Sequence, residues 1–161
     1  MIREVKLSDA KSIASIYNHY IENTLITFEE EKLLPVEIEN HIQIVLQKYP
    51  WLVFEDDGLI KGYAYASKFK ERSAYRYSTE TTVYLHKDYT NRGIGYILYS
   101  ELIKRLKTLN LKVAYGVIAL PNPGSVNLHE KLGFKKAAHL TNVGFKFNKW
   151  IDVGFWELEL N

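Results

Sequence analysis

Residues 78–105 read STETTVYLHKDYTNRGIGYILYSELIKR, and the hydrophobic period changes inside them. Thr81, Thr82, Val83, Tyr84 and Leu85 are β-branched, aromatic or aliphatic, the types that suit a pleated strand. Ile94, Leu98, Leu102 and Leu106 then recur at every fourth position, with Ile97 and Ile103 beside them, as one apolar helix face. Thr90-Asn91-Arg92-Gly93-Ile94-Gly95 joins the two, so the stretch predicts a strand, a glycine-containing loop and a helix. Glycines at a helix start let a ligand approach the backbone. The first N–H groups of a helix lack partners and carry partial positive charge. A phosphate or pyrophosphate on residues 91–96, Asn91 through Tyr96, is the functional reading, with the charge of Arg92 added. The other reading is a tight turn that needs glycine for geometry alone. The loop is no Walker A, because no Gly-Lys-Ser/Thr follows, and it has too few glycines for a Rossmann fingerprint.

Outward from this stretch the chain alternates strands and helices. Ile2 to Val5 is a short strand. A helix capped by Ser8 or Asp9 runs to about Tyr20, with Ile13, Ile16 and Tyr17 inward. Leu25 to Glu29, with Phe28 its bulkiest residue, reads as extended. Pro35 opens a second helix with Ile38, Ile42, Val45 and Leu46 inward. Tyr49–Glu55 and Leu59–Ser67 form a hairpin about Asp57-Gly58. Lys70 to Tyr77 reads as a loop or short helical turn. Beyond the central stretch, Leu111–Leu120 is a strand, and Asn122-Pro123 caps and opens a helix that Gly133 ends. Phe134–Leu140 is a strand, Gly144–Lys149 a connection and Trp150–Leu160 a final aromatic strand. This order predicts a mixed α/β layer with a partly antiparallel sheet.

At 161 residues the expectation is one domain, residues 1–161. A formal net charge of +2 with mixed signs does not mark a nucleic-acid binder. Cysteine is absent, which excludes disulfides, a cysteine nucleophile and thiolate metal sites. The five histidines (His19, His41, His86, His129 and His139) show no ligand spacing, so no metal is expected. With no signal peptide and no membrane-spanning run read in the sequence, a soluble cytoplasmic protein is the expectation.

Several side chains carry possible chemistry. Glu80 lies inside a strand, where glutamate is disfavoured; it is either a solvated edge charge or a general base raised by partial burial. His129 precedes a Leu-Gly-Phe stop and is either a packed histidine or an acid–base group. Lys70, Arg72, Tyr75 and Arg76 form either a solvated basic loop or an anion grip, with Arg72 the preferred gripper. Asn122 serves at least as a helix cap.

The central loop resembles the acyl-CoA pyrophosphate loop of GNAT-superfamily acetyltransferases, Gln/Arg-x-x-Gly-x-Gly/Ala, with Thr90 replacing the first residue. The chain is similar, nearly end to end, to the phosphinothricin and methionine sulfoximine N-acetyltransferases. The likeness rests on Asn18–Glu22, Tyr49–Val53, Lys70-x-Arg72-x-Ala74-Tyr75, Glu80-x-Thr82-Val83-Tyr84, Leu120–Asn122, Ser125-Val126 with His129-Glu130, Gly144–Lys146 and Asp152–Trp156. His129 stands where many GNAT proteins carry a tyrosine that can protonate the leaving thiolate. The chain also departs at Phe134, where some members carry tyrosine, and at Glu29 after Phe28, where arginine is usual.

The resemblance implies the GNAT fold, a mostly antiparallel sheet with splayed central strands. It implies acetyl-CoA as co-substrate, held by the main chain at Val83, Tyr84 and Leu85, by residues 91–96 (Asn91, Arg92, Gly93, Ile94, Gly95, Tyr96) and by Asn122. It implies Glu80 as base and His129 as catalytically important. Phe28, Lys70, Arg72 and Tyr75 fall on the acceptor side, and a homodimer is usual. The expected activity is acetylation of an amino acid's α-amino group. The rivals are a GNAT enzyme for a protein N-terminus or antibiotic amine, which the basic loop disfavours for a polycation, and a non-catalytic acyl-CoA-binding module.

Overall fold

The computed structural model describes residues 1–161. In chain order it contains β1 (Ile2–Glu4), α1 (Ala10–Asn23), α2 (Pro35–Val45), β2 (Trp51–Asp56) and β3 (Leu59–Lys68). Then come β4 (Ser78–Leu85), α3 (Ile94–Leu106), β5 (Val113–Leu120), α4 (Pro123–Lys131), β6 (Lys135–Lys146) and β7 (Lys149–Glu159). One seven-stranded sheet has the order β1-β2-β3-β4-β5-β7-β6. Every pairing is antiparallel except β4 with β5. A parallel pair needs a crossover, and α3 supplies it.

Strand alternation divides the core between the two faces of the sheet. Trp51, Val53 and Tyr63 pack with Ile13, Ile16, Ile38 and Ile42 beneath α1 and α2. Leu52, Ala64 and Ala66 point the other way, onto Leu98, Leu102 and Leu106 of α3. The four-residue spacing of α3 is fully used: Ile94, Leu98, Leu102 and Leu106 are all buried. Ile97, beside that row, is exposed, as is Leu46 past the end of α2.

The parallel ladder of β4 and β5 is short. It pairs Ser78 with Val113 and ends at Thr81 with Gly116. Beyond it, Thr82–Leu85 keep their partners on β3, and Val117–Leu120 keep theirs on β7. The two strands therefore part in the middle of the sheet, and each leaves one main-chain edge unpaired.

Three segments differ from their sequence-based reading. Helix α1 continues to Asn23, because Ile21 adds another buried residue to its inner face. Leu25–Glu29 joins no strand and turns through bends at residues 25–27. Gly144–Lys146 is not a connection but the end of β6, paired with Lys149–Ile151 across a tight turn at Phe147 and Asn148. Here alternation is inverted: Gly144 and Lys146 face inward, while Val143 and Phe145 face outward.

Candidate active site

The parted strands open into a cleft of about 720 Å³. Its walls come from β4, β5, the start of α3, α4 and the connection between α1 and α2.

One end is built from backbone. Gly93 caps α3 with φ of 79°, and Asn91 before it has φ of 59°. These left-handed turns fold the loop back over the helix start; glycine adopts such a conformation without the cost of a Cβ. The first bond within the helix runs from Ile97 N–H to the Gly93 carbonyl, 3.1 Å. The N–H groups of Ile94, Gly95 and Tyr96 precede it and have no partner within the helix. Thr90, Asn91, Gly93, Gly95 and Tyr96 line the cleft. The Ile94 side chain is buried in the core, so only its backbone can serve a ligand. Arg92 does not line the cleft; its guanidinium stands 5.0 Å from the Tyr89 ring centre. Lys131 of α4 reaches over the Tyr96 ring, 4.7 Å from its centre, and brings a cation to this end that the sequence reading had not singled out.

Between the ends lies the free edge of β4. Val83, Tyr84 and Leu85 line the cleft as expected. The Leu85 carbonyl is already engaged by the Tyr20 hydroxyl, which donates to it over 2.7 Å. Asn122 accepts from Ser125 N–H at 3.2 Å, the N-cap contact its position predicts, and it also lines the cleft.

The other end is built from side chains. Glu80, Thr82 and Tyr84 share one face of β4, on the side of α1, and all three line the cleft. Burial raises the Glu80 carboxyl above its ordinary value, and nearby Lys70 opposes the shift. The carboxylate is thus half-buried on a cleft wall and is not a solvated edge charge. Tyr17, Tyr65, Thr27 and Phe28 complete this part of the lining. Tyr65 has its phenol pushed up to about 12 by burial, so it stays protonated and can donate. Tyr17 bonds Thr27 through their hydroxyls at 2.7 Å.

His129 is buried under the cleft floor, with its ring over Gly116. Its Nδ1 lies 2.7 Å from the Ser125 carbonyl oxygen, which can only accept, so the hydrogen is on Nδ1. Its Nε2 then carries a lone pair and lies 3.1 Å from the Tyr99 hydroxyl. Tyr99 is also hydrogen-bonded to Thr81 at the last parallel pair of the sheet. Burial lowers the His129 pKa, against the opposing pull of the Ser125 carbonyl, and keeps the ring neutral. Tyr99 itself was absent from the sequence reading; a buried tyrosine on an apolar helix face looks like ordinary core.

Lys70, Arg72 and Tyr75 are exposed on the β3–β4 connection and do not line the cleft. Lys70 sits 5.3 Å from the Phe69 ring, and Tyr75 packs edge-on to the same ring. Arg72 makes no side-chain hydrogen bond or ion pair within the chain. The structure thus brings Glu80, His129, Phe28 and the loop together and leaves the basic residues outside the lining.

Comparison with known proteins agrees with this geometry. Residues 2–154 match the family described as Acetyltransferase (GNAT) domain. A phosphinothricin N-acetyltransferase of Streptomyces viridochromogenes is 38% identical over 156 residues, covering 97% of this chain and 85% of the relative. An L-methionine sulfoximine/L-methionine sulfone acetyltransferase of Salmonella typhimurium is 32% identical, covering 99% and 94%. The crystal structure of a GNAT-superfamily phosphinothricin acetyltransferase from Sinorhizobium meliloti, in complex with acetyl-CoA, superposes with a TM-score of 0.96. It is 34% identical, and the match covers 100% of this chain and 88% of that one. With the parted β4–β5 pair, the glycine-started α3 and the family match over almost the whole chain, this protein belongs to the GNAT acetyltransferase family.

Proposed function

We propose that this chain is an acetyl-CoA-dependent N-acetyltransferase for the α-amino group of a small amino-acid-like acceptor, the class that phosphinothricin and methionine sulfoximine or sulfone represent. The observation that carries it is the single cleft with an N–H cradle at α3, an unpaired β4 edge and a half-buried Glu80. The names of the two curated relatives support the acceptor class.

The N–H groups of residues 91–96 hold the pyrophosphate, and the pantetheine arm pairs with Val83–Leu85 as an added strand beside Asn122. Main-chain N–H groups on that edge polarise the thioester carbonyl. The acceptor arrives as an ammonium, which has no lone pair. Glu80 takes one proton, directly or through water, and frees the amine to attack the carbonyl carbon. The C–N bond forms, the C–S bond breaks, and the sulfur leaves as thiolate. The nitrogen sheds a second proton and the thiolate takes one, so the overall reaction releases one proton. His129, with its one hydrogen given to a carbonyl and its ring kept neutral by burial, is not placed to donate a proton to the thiolate directly. Arg72, exposed and unpartnered on the β3–β4 connection, is the group that would hold the acceptor's carboxylate or phosphinate, with Lys70 and Tyr75 of the same connection, and Phe28 packs against the acceptor's side chain.

The same reading takes residues 1–161 as one cytoplasmic domain that pairs as a homodimer. No helix is long and apolar enough to cross a membrane. The edge strand β6 supports pairing. It is twelve residues long and mostly exposed, and Val143 and Phe145 at its end, Phe147 in the turn and Trp150 at the start of β7 are exposed. Sedimentation at micromolar concentration tests it; a monomer would refute it.

A thiol-release assay with acetyl-CoA tests the acceptor. The panel holds phosphinothricin, methionine sulfoximine and sulfone, the common amino acids, peptides and aminoglycosides. Turnover confined to the amino-acid-like compounds is expected. Turnover only on peptides or aminoglycosides refutes the acceptor class, and binding without turnover on any amine refutes the enzyme reading.

A further inference from the structure

Lys146 is a lysine in an unusual place. It is 2% exposed, yet no carboxylate lies within ion-pair distance. Its ammonium donates to the Ile21 carbonyl at 2.8 Å and to the Thr27 carbonyl at 2.9 Å. The Phe147 ring lies 4.9 Å away on another side. Burial lowers its pKa, and Glu30 and Glu29 act against that from a distance. A buried charge without a counter-ion is costly, and a methionine of similar length fills the same space without that cost.

What the ammonium holds is specific. Ile21 is in the last turn of α1, where carbonyls lack helical partners and the helix dipole favours a cation. Thr27 is in the α1–α2 connection and, with Phe28, lines the cleft. One cation therefore ties the end of α1 to the wall of the cleft from the far edge of the sheet, more than a hundred residues away in sequence. Two positions earlier on the same strand, Gly144 lies directly against the Phe28 ring; a Cβ there would overlap the ring. Gly144 and Lys146 share the inward face of β6, one a seat for Phe28 and the other a bridge to Thr27.

We infer that Lys146 is a positioning residue for the acceptor pocket, setting the Thr27–Phe28 wall through its two carbonyl contacts with Gly144 as the seat. This rests on the acetyl-transfer reading for what the wall contacts. It does not rest on it for the clamp itself.

Two readouts on Lys146→Met test it. The first is steady-state kinetics with acetyl-CoA and the best acceptor of the panel. The expected result is an acceptor KM raised about tenfold, the worth of one charged hydrogen bond, with the acetyl-CoA KM held within about twofold. Lys146→Arg, which keeps the cation, restores part of the loss. The second readout needs no substrate: amide hydrogen exchange of residues 24–34, expected to speed up while β4 and α3 keep their protection. If both Michaelis constants move together with a lower melting temperature, Lys146 is merely structural and the inference fails. Unchanged exchange and unchanged acceptor KM also overturn it. Should Lys146→Met fail to fold, Gly144→Ala asks the same question through Phe28, with the same split expected. If the wild-type protein acetylates no amine, the functional reading falls, while the exchange result still decides the clamp.

Discussion

The two ends of the cleft are made differently. The cradle at α3 is backbone from one continuous run, Asn91 to Tyr96, shaped by left-handed turns and a helix start. The end around Glu80 is side chains from scattered elements: Tyr17 of α1, Thr27 and Phe28 of a connection, Tyr65 of β3 and Glu80 of β4. Backbone N–H groups suit a ligand part that is always the same, such as a pyrophosphate. Side chains can be exchanged one at a time, which is how an enzyme family changes acceptor without losing its co-substrate. The ends also differ in what holds them. The cradle is held by the helix that follows it; the Thr27–Phe28 wall is contacted from β6, at the edge of the sheet.

The sharpest way to break this division is Glu80→Gln. Loss of a general base should lower kcat/KM by about 10²–10⁴. Acetyl-CoA affinity, read by calorimetry, should hold within about twofold, because the cradle is separate. Equal losses in both would show that the ends are one unit. The pH profile refines the point. The Glu80 pKa is raised, so the fall in activity on the acid side should come at a higher pH than an ordinary glutamate would give, as Glu80 takes a proton and can no longer accept one. That acid limb should vanish in the glutamine variant.

Next in size is Gly116→Ala. A Cβ at this position would overlap the His129 ring, so the ring must move from beneath the point where β4 and β5 part. A loss of about 1–3 kcal/mol in denaturant unfolding is expected from such overpacking. Activity should fall further than stability accounts for, since the Tyr99–His129 contact breaks. An unperturbed variant would mean that the junction of the two ends tolerates change.

A smaller effect comes from pH on stability. His129 is lowered in the folded state below its ordinary 6.5. Its contribution is therefore full above pH 6.5 and is lost as pH falls from there towards the folded value, where the unfolded chain binds the extra proton. His41, also lowered by burial, acts in the same direction, so the comparison must be wild type against His129→Gln. The wild type should lose up to about 1.4 kcal/mol more per pH unit in that window. Parallel curves would mean that folding leaves the His129 pKa where it is in the unfolded chain and would undo its assignment as a ring kept neutral by burial.

The smallest expected change is Thr90→Arg. Thr90 lines the cradle where the family pattern carries Gln or Arg. An exposed arginine there should tighten acetyl-CoA only a few-fold, about 0.2–1 kcal/mol by analogy with exposed ion pairs. The acceptor KM should not move. A shift in the acceptor KM instead would link the ends.

Much of the fold was legible because it is local. The four-residue spacing of Ile94, Leu98, Leu102 and Leu106, the Asp57-Gly58 turn and the Asn122-Pro123 helix start each act through neighbours in sequence, and each appears where expected. The end of β6 was misread because its inward residues are a glycine and a lysine and its outward ones are apolar, the reverse of the usual pattern. Arg92 has a charge in the right place but a direction set by Tyr89, which spacing does not report. Tyr65 and Tyr99 look like strand and core residues until their hydroxyl environments are known.

The sequence by itself determined the strand–loop–helix, the family to which it belongs and Glu80 as the carboxylate of interest. Period, helix start signals and contiguous motifs all operate over a few residues of chain. Only the tertiary structure decided where β4 and β5 part, which tautomer His129 holds and how Lys146 reaches the carbonyls of Ile21 and Thr27. Those depend on which distant groups meet in space, and a buried charge or a neutral imidazole is defined by its neighbours, not by its place in the chain.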